Sequence, residues 1–69
     1  MHLKTIRNPN NRVIGFISFD VHGNGVARDA HMRFLGRYNA QRDVTYDAHN
    51  RQFGHNDQLT ALLHGAQQP

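Results

Sequence analysis

Two short segments of the chain place apolar residues close together, "RVIGFISF" at residues 12–19 and "RFLGRY" at residues 33–38. Both segments are rich in the β-branched and aromatic residues that strands favour, and successive side chains of a strand point to opposite faces. A glycine-rich stretch, "DVHGNGV", follows the first segment and predicts a turn into a further strand. The pattern therefore predicts a mainly β protein.

The last apolar residues of the chain follow a helical period. Asn56 or Asp57 can cap a helix at its start. Three leucines at helical spacing come next, namely Leu59, Leu62 and Leu63. We expect a short C-terminal α-helix over residues 57–64, and its leucine face must dock because so short a helix is unstable alone in water. One domain then covers residues 1–65, and residues 66–69 form a tail.

One phrase occurs three times, as "RNPNNRVIG" at residues 7–15, "RDAHMRFLG" at residues 28–36 and "YDAHNRQFG" at residues 46–54. The copies share an Asn or Asp at the second position, an Arg in the middle and a glycine at the end. Repetition at short intervals indicates one structural unit that is used several times. The glycine that ends each copy, inside a predicted strand, is typical of a bulge or a bend.

The shared positions describe a tight turn that joins two strands. Its first position, where an Asx side chain bonds to the backbone two residues on, is filled by Asn8, Asp29 and Asp47. Its left-handed position, which Asn tolerates better than bulkier residues, is filled by Asn11 and Asn50. Met32 stands there in the middle copy, where either the turn differs or the strain is tolerated. The repeat therefore predicts a small antiparallel sheet of three repeated hairpins, with about five or six strands.

The last copy resembles a known repeat. "TYDAHNRQ" at Thr45–Gln52 resembles the YD repeats of bacterial RHS-type proteins, in which a Tyr-Asp pair is followed by Gly-Arg or Asn-Arg. The "D-x-x-x-R-x-x-G" spacing is similar to that of small bacterial β-hairpin-repeat proteins described as four-fold β-flowers. The resemblance implies a hairpin-repeat architecture and no particular functional residue.

Size and composition predict self-association. The chain has 69 residues, 38% of them hydrophobic, and no cysteine. A domain of this size buries only about 60% of its unfolded surface, and disulfides cannot reinforce it. In the strand at 12–19, Ile14 and Phe16 fall on one face while Ile17 and Phe19 fall on the other. We expect a homo-oligomer in which a second copy covers one face.

Charge and the absence of targeting signals suggest a compartment and a class of partner. Eight basic and five acidic residues give a net charge of +3 and a pI of about 10.2, which is compatible with nucleic-acid binding. The lack of cysteine and of a signal-like apolar run near the first residues predicts a cytoplasmic protein. No stretch reaches the roughly 18 apolar residues that cross a bilayer.

Patterns that carry catalysis or bind metals are missing from the sequence. The six histidines show no ligand spacing, and His31 and His49 recur only because the turn recurs. Ser18 lacks the surroundings of a nucleophile, and "GNG" at residues 23–25 lacks the lysine and helix of a phosphate-binding loop. We expect no enzyme, no cofactor, no metal site and no small-molecule substrate.

Arginine and aromatic residues near the turns are the candidate binding residues. The set comprises Arg12, Arg33, Arg37, Arg51, Phe34, Tyr38 and Tyr46. A rim of arginine and aromatic groups suits single-stranded nucleic acid or a protein hot spot. The alternative is structural, because Asp29 can pair with Arg33, and Asp47 with Arg51, to brace the turns.

Together these features predict a non-catalytic small binding module. Its size, charge and repeats are typical of a phage- or plasmid-encoded accessory or inhibitor protein that acts by binding another macromolecule. We expect the partner to be a protein or a second copy of the chain, and we expect no membrane partner. The alternative is a nucleic-acid-binding protein that uses the arginine and aromatic rim.

Overall fold

A computed structural model of the protein describes residues 2–66, with side chains for residues 3–65. This part of the chain forms one antiparallel sheet in which each strand pairs with its neighbours in sequence. The strands are β1 (His2–Arg7), β2 (Val13–Phe19), β3 (Gly25–Asp29), β4 (Phe34–Asn39), β5 (Val44–Asp47) and β6 (Gln52–His55). The predicted mainly β architecture is confirmed, and the three repeats form the hairpins β1–β2, β3–β4 and β5–β6.

The turn of the first hairpin is held by four hydrogen bonds. The amide of Asn8 donates to the carbonyl of Arg12, and the amide of Asn11 donates to the carbonyl of Asn8, each over 2.9 Å. The side-chain oxygen of Asn8 accepts bonds from the amides of Asn10 and Arg12 at 2.9 and 3.0 Å. This is the predicted type I turn followed by a left-handed residue.

Asp29 and Asp47 repeat this network in the other two copies. The predicted left-handed residues have φ values of 64° at Asn11, 66° at Met32 and 63° at Asn50. Met32 therefore takes a conformation that costs a non-glycine residue about 1–2 kcal/mol.

The same turn occurs a fourth time, between β2 and β3. The amide of Asp20 donates to the carbonyl of Asn24 over 2.9 Å, and the Asp20 carboxylate accepts from the amides of His22 and Asn24. Gly23 fills the left-handed position with a φ of 85°. This turn is not among the three repeated phrases, because the residues of the strands on either side of it differ from those of the other copies.

A β-bulge follows the turn in each of the three repeats, where the strand register shifts by one residue. The extra residues are Ile14, Leu35 and Phe53. Ile14 was expected on the same face as Phe16, but it packs in the core with Ile17. The expectation was wrong because the bulge interrupts the alternation of side chains.

Helix α1 (Leu59–Ala66) packs on β2, β3 and β4 of its own chain. The Asp57 side chain accepts a bond from the Leu59 amide over 3.1 Å, so Asp57 caps the start of the helix as predicted, although the helix itself begins at Leu59 rather than at residue 57. The buried Thr45 hydroxyl accepts from the Gln58 amide at 2.9 Å and donates to the Asn56 carbonyl at 2.7 Å. These bonds attach the start of α1 to β5.

Glycines let the helix approach the sheet closely. Leu63 lies over Gly15 and Leu62 over Gly36, where an added Cβ would overlap both the leucine and a carbonyl oxygen of the adjacent strand. Gly25 on β3 lies under the helix in the same way. The glycines at Gly15 and Gly36 therefore make room for the helix.

The helix covers one face of the sheet. The core on that face comprises Ile6, Ile14, Ile17, Ala27, Leu59, Leu62 and Leu63.

Within residues 2–66, no helix has the length and apolar character needed to cross a membrane. Of the predicted tail, residue 66 ends the helix and residues 67–69 lie outside the described part of the chain.

Candidate functional site on the open sheet face

The face of the sheet opposite α1 is the open face, defined here by Phe16, Val26, Arg28, Arg37 and Tyr46. Strand register pairs Phe16 with Arg28, Val26 with Arg37, and Arg37 with Tyr46. Residues directly opposite each other in antiparallel strands share a face, and their chain neighbours point the other way, towards the helix. The open face thus carries one aromatic or arginine side chain from each of the strands β2 to β5.

Arg37 is held in place by two contacts. Its guanidinium carbon lies 4.3 Å from the centre of the Tyr46 ring, in a cation–π contact. Its Nη2 atom donates a hydrogen bond to Oδ1 of Asn50 over 2.6 Å. Asn50 is the left-handed residue of the last turn, so this turn also orients Arg37. An arginine already oriented loses less side-chain entropy when a ligand binds.

None of the acidic residues belongs to the residues that define the open face. The five acidic residues of the chain are Asp20, Asp29, Asp43, Asp47 and Asp57. All of them stand in or beside turns or just before α1. Asp29 and Asp47 pair with glycines that lie under the helix, so both project to the helix side. Among the described residues, neither Arg28 nor Arg37 takes part in an ion pair.

Hydrogen bonds in the turns keep three carboxylates ionised. The Arg33 amide, aided by the Arg33 side chain and a second turn amide, holds the pKa of Asp29 below its usual value although desolvation raises it. The Arg51 amide lowers the pKa of Asp47 in the same way. Burial raises the pKa of Asp20, but bonds from its turn amides outweigh this effect. These carboxylates are therefore committed to building turns.

The predicted arginine rim divides into paired and unpaired residues. Arg33 Nε lies 2.7 Å from Asp29 Oδ2, and Arg51 Nε lies 3.3 Å from Asp47 Oδ2, so the predicted bracing pairs are present. Arg12 belongs to the copy that begins with Asn and makes no ion pair among the described residues. Both pairs carry exposed arginines, so solvent screening keeps their contribution small.

The three predicted aromatic residues lie in different environments. Tyr46 lies on the open face, and Phe34 pairs with Arg28 near the turn, where it is 43% exposed. Tyr38 instead packs against the core. Its hydroxyl donates to Asp43, and this hydrogen bond raises the pKa of Tyr38. The structure therefore separates Tyr38 from the other candidate residues.

The sequence-based candidates omitted Phe16 and Arg28. The turn that begins at Asp20 was predicted and is confirmed, but its register was not assigned; this turn pairs Asp20 with Asn24. Counting outwards along both strands then places Phe16 opposite Arg28, as the register shows. The signal was the spacing of Asp20 and Gly23, which matches the first and left-handed positions of the other turns.

Histidines contribute no cluster to this region. His31 and His49 lie in exposed turns. Across residues 3–65, no group of three His or Asp side chains has the arrangement of a metal site.

No protein-family model, curated protein or solved structure matches the chain. The resemblance to YD repeats and to β-hairpin-repeat proteins therefore stays a prediction.

Proposed function

We propose that the protein is a non-catalytic binding module that holds a macromolecule on its open face. The observation that carries this proposal is the composition of that face, where Arg28 and Arg37 lie between Phe16 and Tyr46 with no carboxylate beside them. Binding surfaces for proteins and for nucleic acids both favour arginine and aromatic side chains.

The hydrogen bonds that the Asp29 and Asp47 carboxylates make within their turns support a non-catalytic role. General acid–base catalysis needs a group whose pKa lies near the working pH and whose proton can reach the substrate. The pKa of Asp29 and that of Asp47 are instead lowered, and their oxygens accept bonds from turn amides. A sheet face also encloses a small substrate less well than a cleft does.

Two classes of partner fit the open face. A protein partner would use the apolar groups Phe16 and Val26, and a role as a phage- or plasmid-encoded accessory or inhibitor stays a prediction from size and charge. A nucleic acid is favoured by a specific observation, which is that Arg28 and Arg37 make no ion pair with any carboxylate of the described residues. The net charge of +3 acts in the same direction.

Site-specific photocrosslinking tests the proposed binding face. A photoreactive phenylalanine analogue replaces Ser18, which pairs with Val26 on the open face, or Ala61, which is exposed on α1. We expect the probe at Ser18 to form adducts in cells that produce the protein, and the probe at Ala61 to form few. The Arg28→Gln substitution should remove the adducts at Ser18.

Equal adduct yields at both positions, or adducts that do not respond to Arg28→Gln, would contradict the proposal. The spectrum of backbone amide signals, recorded for each variant, verifies that the fold is unchanged.

A further inference from the structure

We propose that the open face binds single-stranded nucleic acid along a diagonal track formed by Phe16, Arg28, Arg37 and Tyr46. This inference rests on the proposed function and names the partner of that surface. The track crosses four consecutive strands, with one residue on each of β2, β3, β4 and β5. An aromatic ring stands at each end, and the two arginines stand between them.

The dimensions of the track fit a few nucleotides. Neighbouring strands lie about 4.8 Å apart, so three strand intervals span about 14 Å. Arg28 and Arg37 are diagonal neighbours, because Val26 lies two residues before Arg28 and pairs with Arg37. This step shifts the track by about 7 Å along the strands and gives a total length of about 16 Å. At about 3.4 Å per stacked nucleotide, the track accommodates no more than about five nucleotides.

The chemistry of the four side chains matches an unpaired strand. Bases stack on aromatic rings and on guanidinium planes whatever their sequence, and arginines neutralise phosphates. Phe16 and Tyr46 are partly exposed, so each can offer ring surface to a nucleobase while the rest of its side chain stays packed on the sheet. Arg37 already lies against the Tyr46 ring, so a base stacked there meets a fixed platform.

Charge and shape disfavour the other occupants. A second copy placed face to face would add a further pair of unpaired arginines, Arg28 and Arg37, to the same interface without a carboxylate to neutralise them, which is unfavourable. A duplex hides the faces of its bases, and its major groove admits a helix or a two-stranded ribbon rather than the face of a wide sheet. An unpaired, negatively charged strand satisfies both the rings and the arginines.

Fluorescence anisotropy on the purified full chain tests the inference directly. The probes are a labelled single-stranded oligothymidine, the matching oligouridine and a duplex of equal length. We expect both single strands to bind at least tenfold more tightly than the duplex. With two phosphates neutralised, raising the salt from about 50 to about 200 mM should weaken binding about sevenfold.

Variants separate the roles of charge and stacking. Arg28→Gln should lower the salt dependence by about 0.7 of a log unit per log unit of salt. Phe16→Leu and Tyr46→Leu keep apolar volume and remove the ring, so each should weaken binding roughly fivefold or more while leaving the salt dependence unchanged. Arg42→Gln is the matched control, since it removes the same charge from the β4–β5 connection.

Three outcomes would overturn the inference: no binding of either single strand, equal binding of the duplex, or an effect of Arg42→Gln as large as that of Arg28→Gln.

The crosslinking result distinguishes failure of this inference from failure of the proposed function. If oligonucleotides do not bind but the probe at Ser18 still captures a protein or a second copy in an Arg28-dependent manner, only the nucleic-acid inference falls. If the probe captures nothing, both fall.

Discussion

Adding one methyl group to three different glycines should change stability in three different ways. At Gly15 the new Cβ would overlap the Arg28 carbonyl and Leu63, and a backbone carbonyl cannot move aside cheaply. We expect Gly15→Ala to cost about 1–3 kcal/mol, as overpacking of a core does. A domain of this length has a stability of roughly 3–10 kcal/mol. The methyl group therefore removes a large share of it.

The two other positions serve as matched controls. At Gly65, an added Cβ meets nothing within 4 Å, and alanine favours a helix over glycine by about 0.5–1 kcal/mol, so Gly65→Ala should stabilise the protein. At Gly54, the Cβ would lie 3.3 Å from Cγ of Gln58, a side chain that can move. Gly54→Ala should therefore change stability by less than about 0.5 kcal/mol.

Urea unfolding followed by circular dichroism measures the three differences. With a slope near 1 kcal/mol per molar urea for so small a protein, the midpoint of Gly15→Ala should fall by about 1–3 M. The midpoint of Gly65→Ala should rise by about 0.5–1 M. If Gly15→Ala unfolded at the same urea concentration as the parent protein, α1 would not rest on β2 as described, and the explanation of the glycines would be wrong.

Two further predictions concern the helix anchor and the turns. Thr45→Val keeps the shape of the side chain but removes both hydrogen bonds to the residues before α1, so it should lower the free energy of unfolding by about 1–3 kcal/mol. Thr45→Ser keeps the hydroxyl and should cost less. Equal thermal unfolding temperatures for Thr45→Val and the parent protein would contradict the anchor. The folded-state pKa of Asp29 and that of Asp47 lie below the usual value of 3.8, so their stabilising contribution is present above this pH and is lost as the pH falls through the folded values. Urea unfolding between pH 3 and pH 7 should show a shallower acid loss for the Asp29→Asn, Asp47→Asn variant, and an unchanged loss would count against the turn bonds.

The sequence was sufficient for the turns because their chemistry is local. An Asx residue that bonds to its own backbone and a left-handed residue three positions later need only a few neighbouring atoms, so Asn8 and Asn11 predicted their hairpin correctly. For Met32 the sequence left two alternatives, and the structure shows that the turn is kept although the side chain does not favour that conformation. With three turns fixed, the antiparallel sheet follows from the shortness of the connections.

Features that depend on distant contacts could not be predicted in this way. The bulge that moves Ile14 into the core is visible only once β1 is paired with β2. The position of α1 depends on three strands and on Thr45, which nothing in its local sequence distinguishes from other strand threonines. The open face is a different case: the turn after β2 was predicted, but its register was not assigned from the spacing of Asp20 and Gly23, so Phe16 was not placed opposite Arg28.

The packing of α1 also accounts for small residues at particular positions of the central strands. The positions of the central strands that lie beneath the helix leucines are small, namely Gly15, Gly25, Ala27 and Gly36. Larger residues such as Ile17 and Tyr38 share that side of the sheet and pack around the helix, whereas their chain neighbours Phe16 and Arg37 point to the opposite face. The turns, meanwhile, take up the carboxylates. Because the turns hold Asp29 and Asp47 on the helix side, the arginines of the open face have no carboxylate opposite them, and this is the charge distribution that the proposed anionic partner would complement.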